Sequence, residues 1–172
     1  MSNTNEGRKQ GLRDETNILN TLNFVYNGYY KFVEMENLSK ADKAGIDAVV
    51  VEQLTGISFP VQIKTAQGDY ARTCLTITVR DRNGNSTNAV KKFKKIQSIL
   101  AYKGSPYLYM PNRAYMADLI NMKIMSGQVF QGSHEDDFGN IVKDNSLFVR
   151  IYLPEIKDYS KILSKKRTAL WN

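Results

Sequence analysis

GIDAVVVEQLTGISFPVQIKTAQ, residues 45–67, is the stretch whose reading decides the fold. Two apolar runs, Gly45 to Gln53 and Ile57 to Thr65, flank Leu54-Thr55-Gly56, a short turn signal of the kind that closes a β-hairpin. Strand side chains alternate between faces, so Asp47, Val49 and Val51 share one face of the first strand, and Gln62 and Lys64 share one face of the second. An acid, an amide and an amine therefore converge on runs otherwise made of Val, Ile and Phe. Such groups are costly to bury without partners, which predicts that they satisfy one another or are in use.

The 172 residues, 42% hydrophobic, suit one domain with an ordinary core over 1–172, with residues 1–10 and 160–172 as loosely held tails. A single cysteine, Cys74, leaves no intrachain disulfide and no multi-cysteine zinc site. No run approaches the ~20 apolar residues of a membrane span, and MSNTNEGRKQ lacks the apolar region of a signal peptide. The expectation is a cytoplasmic protein with no membrane partner.

The net charge of +7 is unevenly placed. Between Val61 and Ile120 stand Lys64, Arg72, Arg80, Arg82, Lys91, Lys92, Lys94, Lys95, Lys103 and Arg113 against Asp69, Asp81 and Asp118, so this segment carries the whole excess. A cationic cluster beside the Asp-Gln-Lys group suits a polyanion, because each neutralised phosphate releases counterions. A solvated helix face is by itself the commoner explanation of a lysine run.

Outward from the hairpin, Leu12, Leu19, Leu22, Tyr26 and Tyr29 recur at helical spacing and predict an opening helix of roughly twenty residues. Glu15 falls within that stripe and Asp14 at its edge. An acid there either points at what the helix packs on or complements the helix dipole. Tyr30 to Ala44 reads as an irregular loop. Cys74 to Arg80 alternates as a half-exposed strand, and Asp81 to Ser86 as a turn. Asn88 to Tyr102 reads as a helix with Val90, Phe93, Ile96 and Leu100 inward and Lys91, Lys92, Lys94 and Lys95 outward. Pro106 to Met110 is expected as a short strand reached by a crossover, Asn112 to Met125 as a helix capped by Asn112, and Ser146 to Leu153 as a last strand. Gln128 to Asn145 is expected as a polar loop, its His134, Glu135, Asp136 and Asp137 an acidic surface rather than a metal cluster.

Asp47, a hairpin and then Gln62-Ile63-Lys64 resembles the core of the PD-(D/E)XK nuclease superfamily, and most of all its Mrr-like branch, which carries Gln-x-Lys. The resemblance implies an α/β fold with a restriction-endonuclease-like αβββαβ core, a mixed central sheet flanked by helices. It also implies a metal-dependent DNA endonuclease, of restriction or junction-resolvase type, using Mg²⁺ or Mn²⁺. In this resemblance Asp47, Gln62 and Glu15 are the metal ligands and Lys64 assists the nucleophile, with DNA held by Lys91, Lys92, Lys94, Lys95, Arg72, Arg80 and Arg82. A homodimer follows from the same likeness. No Gly-rich phosphate loop is present, and one His and one Cys give little for a nucleophilic triad. Two rival readings stand beside the nuclease. One is a non-catalytic DNA-binding module in which Asp47 and Lys64 are a structural pair, and the other an assembly protein with an acidic partner.

Overall fold

A computed structural model describes residues 2–35, 45–66, 74–102 and 104–164. It is a mixed α/β structure with two sheets and, among the described residues, four α-helices. The hairpin at its centre forms as its sequence demands. Strand β2 (Ala48–Glu52) runs antiparallel to β3 (Ser58–Thr65), and the turn closes with Gly56 at φ +73°, where a side chain would be strained, donating its N–H to Glu52 O at 2.8 Å.

Before the hairpin, α1 (Ser2–Val25) starts well inside the stretch expected as a tail and is followed by a strand, β1 (Tyr30–Glu34), where a loop was expected. The strand is hidden in the sequence because YKFVE buries Phe32, with Tyr30 buried only in part. It is held by β2 alongside, and the Asn23 amide brackets the Phe32 backbone, accepting its N–H at 2.7 Å and donating to its carbonyl at 2.9 Å.

After β4 (Cys74–Arg80) comes α2 (Ala89–Lys95), seven residues rather than fifteen. The remainder of the expected helix is β5 (Gln97–Ala101), which pairs in parallel with β3. Ser98, Ile99, Leu100 and Ala101 are all buried, and a strand covered on both faces has no alternation to betray it. The crossover therefore joins β3 to β5, and β6 (Tyr107–Pro111) is merely the antiparallel neighbour of β5. Helix α3 (Arg113–Met125) begins as expected, with Asn112 Oδ1 accepting the Tyr115 N–H at 3.0 Å.

The segment expected as a polar loop is a hairpin of β7 (Phe130–Glu135) and β8 (Ile141–Tyr152), the latter absorbing the expected last strand. A short α4 (Leu153–Ile156) and a 3₁₀ turn lead to β9 (Ser160–Ser164), within the expected C-terminal tail; Lys165, Lys166 and Arg167 lie outside the described residues.

The larger sheet runs β1-β2-β3-β5-β6-β9, antiparallel except at β3–β5; the smaller runs β4-β8-β7. Two cores result. Ile18, Leu19 and Leu22 of α1 pack on Phe32, Ala48, Val50, Val61, Ile63 and Ile99, covering one face of the larger sheet. On its other face Leu100 and Tyr109 meet Phe93 of α2, Met116 and Ile120 of α3, and the inner residues of the smaller sheet, Leu75, Ile77, Val149 and Ile151. Each fully buried Leu or Ile contributes about 1.5–3 kcal/mol. Tyr102, fully buried, donates its hydroxyl to Ile151 O at 3.0 Å and ties the sheets together, while burial raises its phenol well above the ordinary range.

Candidate functional site

Register pairs Ala48 with Val61, which brings residue 47 level with Gln62 at the end of β2. There the ladder breaks. Asp47 N–H donates to Val61 O, Asp47 O accepts from Met35 N–H, and the N–H of Ile63, left without a strand partner on that side, donates to Asp47 Oδ2 at 2.6 Å. The carboxylate takes the place of a ladder acceptor, in the short geometry of a charge-assisted bond. Ala48 and Val50 turn toward α1, so alternation puts Asp47 on the opposite face, the one that carries Gln62 and Lys64. The three residues singled out in the sequence are thus brought to one side of the sheet.

That side opens into a cleft of about 260 Å³ between β3, β4 and the start of α2, lined by Gln62, Lys64, Thr76, Thr78, Thr87 and Lys92 together with the apolar Ile77, Ala89 and Phe93; Asp47 adjoins it through β3 without being one of its lining residues. Its polar wall of amines, hydroxyls and an amide suits an anion. Gly45 lies on the rim at φ +81°; a Cβ there would meet Lys92 Cδ at an ordinary 3.8 Å, so its backbone angle, not space, calls for glycine. Thr87 donates its hydroxyl to Thr78 O at 2.7 Å, fastening the lead of α2 to β4. Asn88, the residue before α2, stands at φ 56° without a side-chain cap.

Gln62 is 2% exposed, and its Nε2 is the one buried side-chain polar atom among the described residues with no hydrogen-bond partner. An unmade hydrogen bond of this kind costs about 1–3 kcal/mol. A half-turn of the amide presents a carbonyl oxygen at the same place, so the position offers either a donor or an acceptor to what enters the cleft.

Glu15 does not join this group on the same face. Helix α1 carries it over the other side of the sheet, although Thr16 Oγ1 donates to Glu34 Oε1 at 3.1 Å and so pins that part of α1 to the sheet end where Asp47 lies. The buried acid of the helix is Asp14, at 6% exposure, while Glu15 is half-buried. The inner stripe runs Asp14-Ile18-Leu22, and the phase set by Leu12 and Tyr29 misleads because α1 ends at Val25 and Tyr29 is exposed.

The cationic residues divide likewise. Lys92 is half-buried in the cleft, and Lys91, Lys94, Lys95 and Arg80 are exposed. The signal for Lys92 was available, since it lies three residues after buried Ala89 and four before buried Ile96. Arg82 Nε is 3.6 Å from Asp144 Oδ2, and Arg72 lies outside the described residues. Thr76 and Thr78 belong to the polar face of a strand whose alternation is legible in the sequence, and Thr87 is a cleft residue that no motif marked.

The His134-to-Asp137 run serves the β7–β8 hairpin. Asp136 accepts the N–H groups of Asn140 and Phe138, which hold its carboxyl below the ordinary range. Asp144 is held low by the hydroxyl and N–H of Ser146 and then by His134, whose Nδ1 is 3.2 Å from its Oδ2.

Among the described residues no three His, Cys, Asp or Glu side chains cluster as a metal site, and no helix is long and apolar enough to cross a membrane. No protein-family model, curated protein sequence or solved structure matches the chain.

Proposed function

We propose that this cleft is the active site of a metal-dependent DNA endonuclease with a restriction-endonuclease-like core. The observation that carries it is the placement of Asp47, whose carboxylate sits on the Ile63 N–H between the two cleft residues Gln62 and Lys64. Element order supports it. With β4 and its sheet set aside as an insertion, α1, β1, β2, β3, α2 and β5 follow as αβββαβ, with β3 and β5 parallel across the α2 crossover.

The donor set fits a hard cation of low protein occupancy. Mg²⁺ is commonly held by one or two carboxylates together with substrate phosphate and water, and here Asp47 and the Gln62 amide oxygen would hold it. A bound Mg²⁺ or Mn²⁺ would supply Lewis acidity, lowering the pKa of a water and neutralising charge on phosphate. Lys64 and Lys92 meet the phosphate oxygens, Lys64 next to the developing charge, where an aimed cation counts for most. The threonines of β4 line the wall past which the backbone lies. Glu15, over the opposite face of the sheet, takes no part in this cleft.

A second reading is favoured by the described residues' bringing one carboxylate to the cleft face: a DNA-binding module in which Asp47 only mends the ladder. Cleavage of linear, nicked, branched and single-stranded DNA with Mg²⁺ or Mn²⁺ separates the two. Wild type should cut, and Lys64→Ala and Asp47→Ala should lose about 10²–10³-fold in rate while Lys64→Ala keeps its melting temperature. Equal cleavage by all three overturns the proposal, and salt-sensitive binding without cleavage selects the module.

A further inference from the structure

The smaller sheet has one core face, and on its other face Thr76, Thr78 and Phe130 are exposed while Phe148 and Arg150 are half-buried. Leu75 pairs with Ile151 and Ile77 with Val149 on the inside, so Thr76 opposite Arg150 and Thr78 opposite Phe148 stand on the outside. Phe148 pairs in turn with Phe130 on β7. Thr76 and Thr78 also line the cleft, so β4 borders both the cleft with Lys64 and Lys92 and, through its pairing, the face that carries Arg150, Phe148 and Phe130.

The groups at its far end are planar. The rings of Phe130 and Phe148 stack at 5.7 Å and 22°, and the Arg150 guanidinium lies 4.0 Å from the Phe130 centroid. Phe130 keeps 39% of its surface exposed. Ring surface exposed on a solvent face adds little to stability, and a planar guanidinium laid over a ring extends the flat surface. Beyond Phe130 the hairpin turns acidic, with Glu135, Asp136 and Asp137 exposed or half-exposed, which repels phosphate and bounds the surface.

We infer that this face is a stacking platform for unpaired bases, so that the cleft acts on DNA carrying a single-stranded segment, its phosphates at Lys64 and Lys92 and its bases on Arg150, Phe148 and Phe130. The inference rests on the reading of the cleft as a DNA site. Aromatic stacking is tolerant of sequence because every base has a π face, and a positive groove beside it tracks the backbone. A fully paired duplex keeps its bases stacked inside and gains nothing from the platform.

The test uses the full chain with a single-stranded oligonucleotide containing 2-aminopurine and a duplex of the same length, at one salt concentration. Wild type should bind the single strand more tightly than the duplex and quench the 2-aminopurine on binding. Phe130→Leu, which keeps an apolar side chain but no π face, should weaken single-strand binding about 5- to 100-fold and abolish the quench, with duplex affinity and melting temperature unchanged. Arg150→Lys, which keeps charge but not the plane, should also favour duplex over single strand relative to wild type. Equal loss for both ligands, or no loss, overturns the platform. Duplex binding that Lys64→Ala weakens, with no preference for the single strand, leaves the cleft as a DNA site and removes the platform; binding of neither ligand removes both.

Discussion

Gln62 is the residue at which stability and use are in conflict. Its amide is buried, level with Ser98 on β5, and among the described residues its Nε2 has nothing to bond. If the amide serves the cleft, an unbranched apolar side chain of similar length should suit the folded protein better. Gln62→Met should therefore raise the unfolding free energy by about 1–2 kcal/mol, seen as a higher urea midpoint at unchanged slope, while DNA cleavage falls. A lower midpoint would show that the amide is satisfied structurally. The polar members of this group were legible from strand alternation alone, because Asp47, Gln62 and Lys64 interrupt apolar runs at a period of two. What alternation does not show is that Asp47 bonds backbone, since that depends on β2 ending one residue too soon to serve Ile63.

Among the elements, legibility followed exposure. The β2–β3 hairpin, β4 and α3 each have a wet side and a dry side, and their boundaries were readable to within a few residues. Strand β5 is dry on both sides and merged with the helix before it, whereas β1 and β7 are mostly wet and passed for loops. The joint between α3 and the end of β8 was hidden for a different reason, since it depends on two charges far apart in sequence. Lys123, 4% exposed, donates to Glu155 Oε1 at 2.7 Å, and Glu155 also accepts the Tyr152 N–H through Oε2 at 2.8 Å. Glu155→Ala strands a buried ammonium and an N–H together. Removing one partner of a buried pair costs about 3–5 kcal/mol, and the lower end applies because the Glu155 side chain is 31% exposed. Thermal unfolding should show the loss, and adding Lys123→Met should recover part of it. Additive losses in the double variant would mean that the two side chains do not act as a pair.

Across the whole molecule, under the proposed function, the excess of +7 would set how it meets a polyanion and the cleft which of its cations count. Exposed lysines such as Lys91, Lys94 and Lys95 attract phosphate at a distance and are screened beyond roughly a Debye length of 10 Å at 0.1 M salt. Lys92 differs because it is half-buried in the cleft wall that also carries Lys64, its stem beside Gly45. A cation fixed in contact releases counterions in proportion to the phosphates it neutralises. In a plot of the logarithm of DNA affinity against that of salt, Lys92→Ala should reduce the slope by about one unit, and Lys95→Ala should reduce it by less. Anisotropy titrations between 50 and 200 mM salt, the range over which such slopes develop, read the difference directly. Should the two variants lose slope equally, the charge works as a diffuse field rather than through the cleft. That outcome favours an assembly protein that meets an acidic partner over one that grips a nucleic-acid backbone.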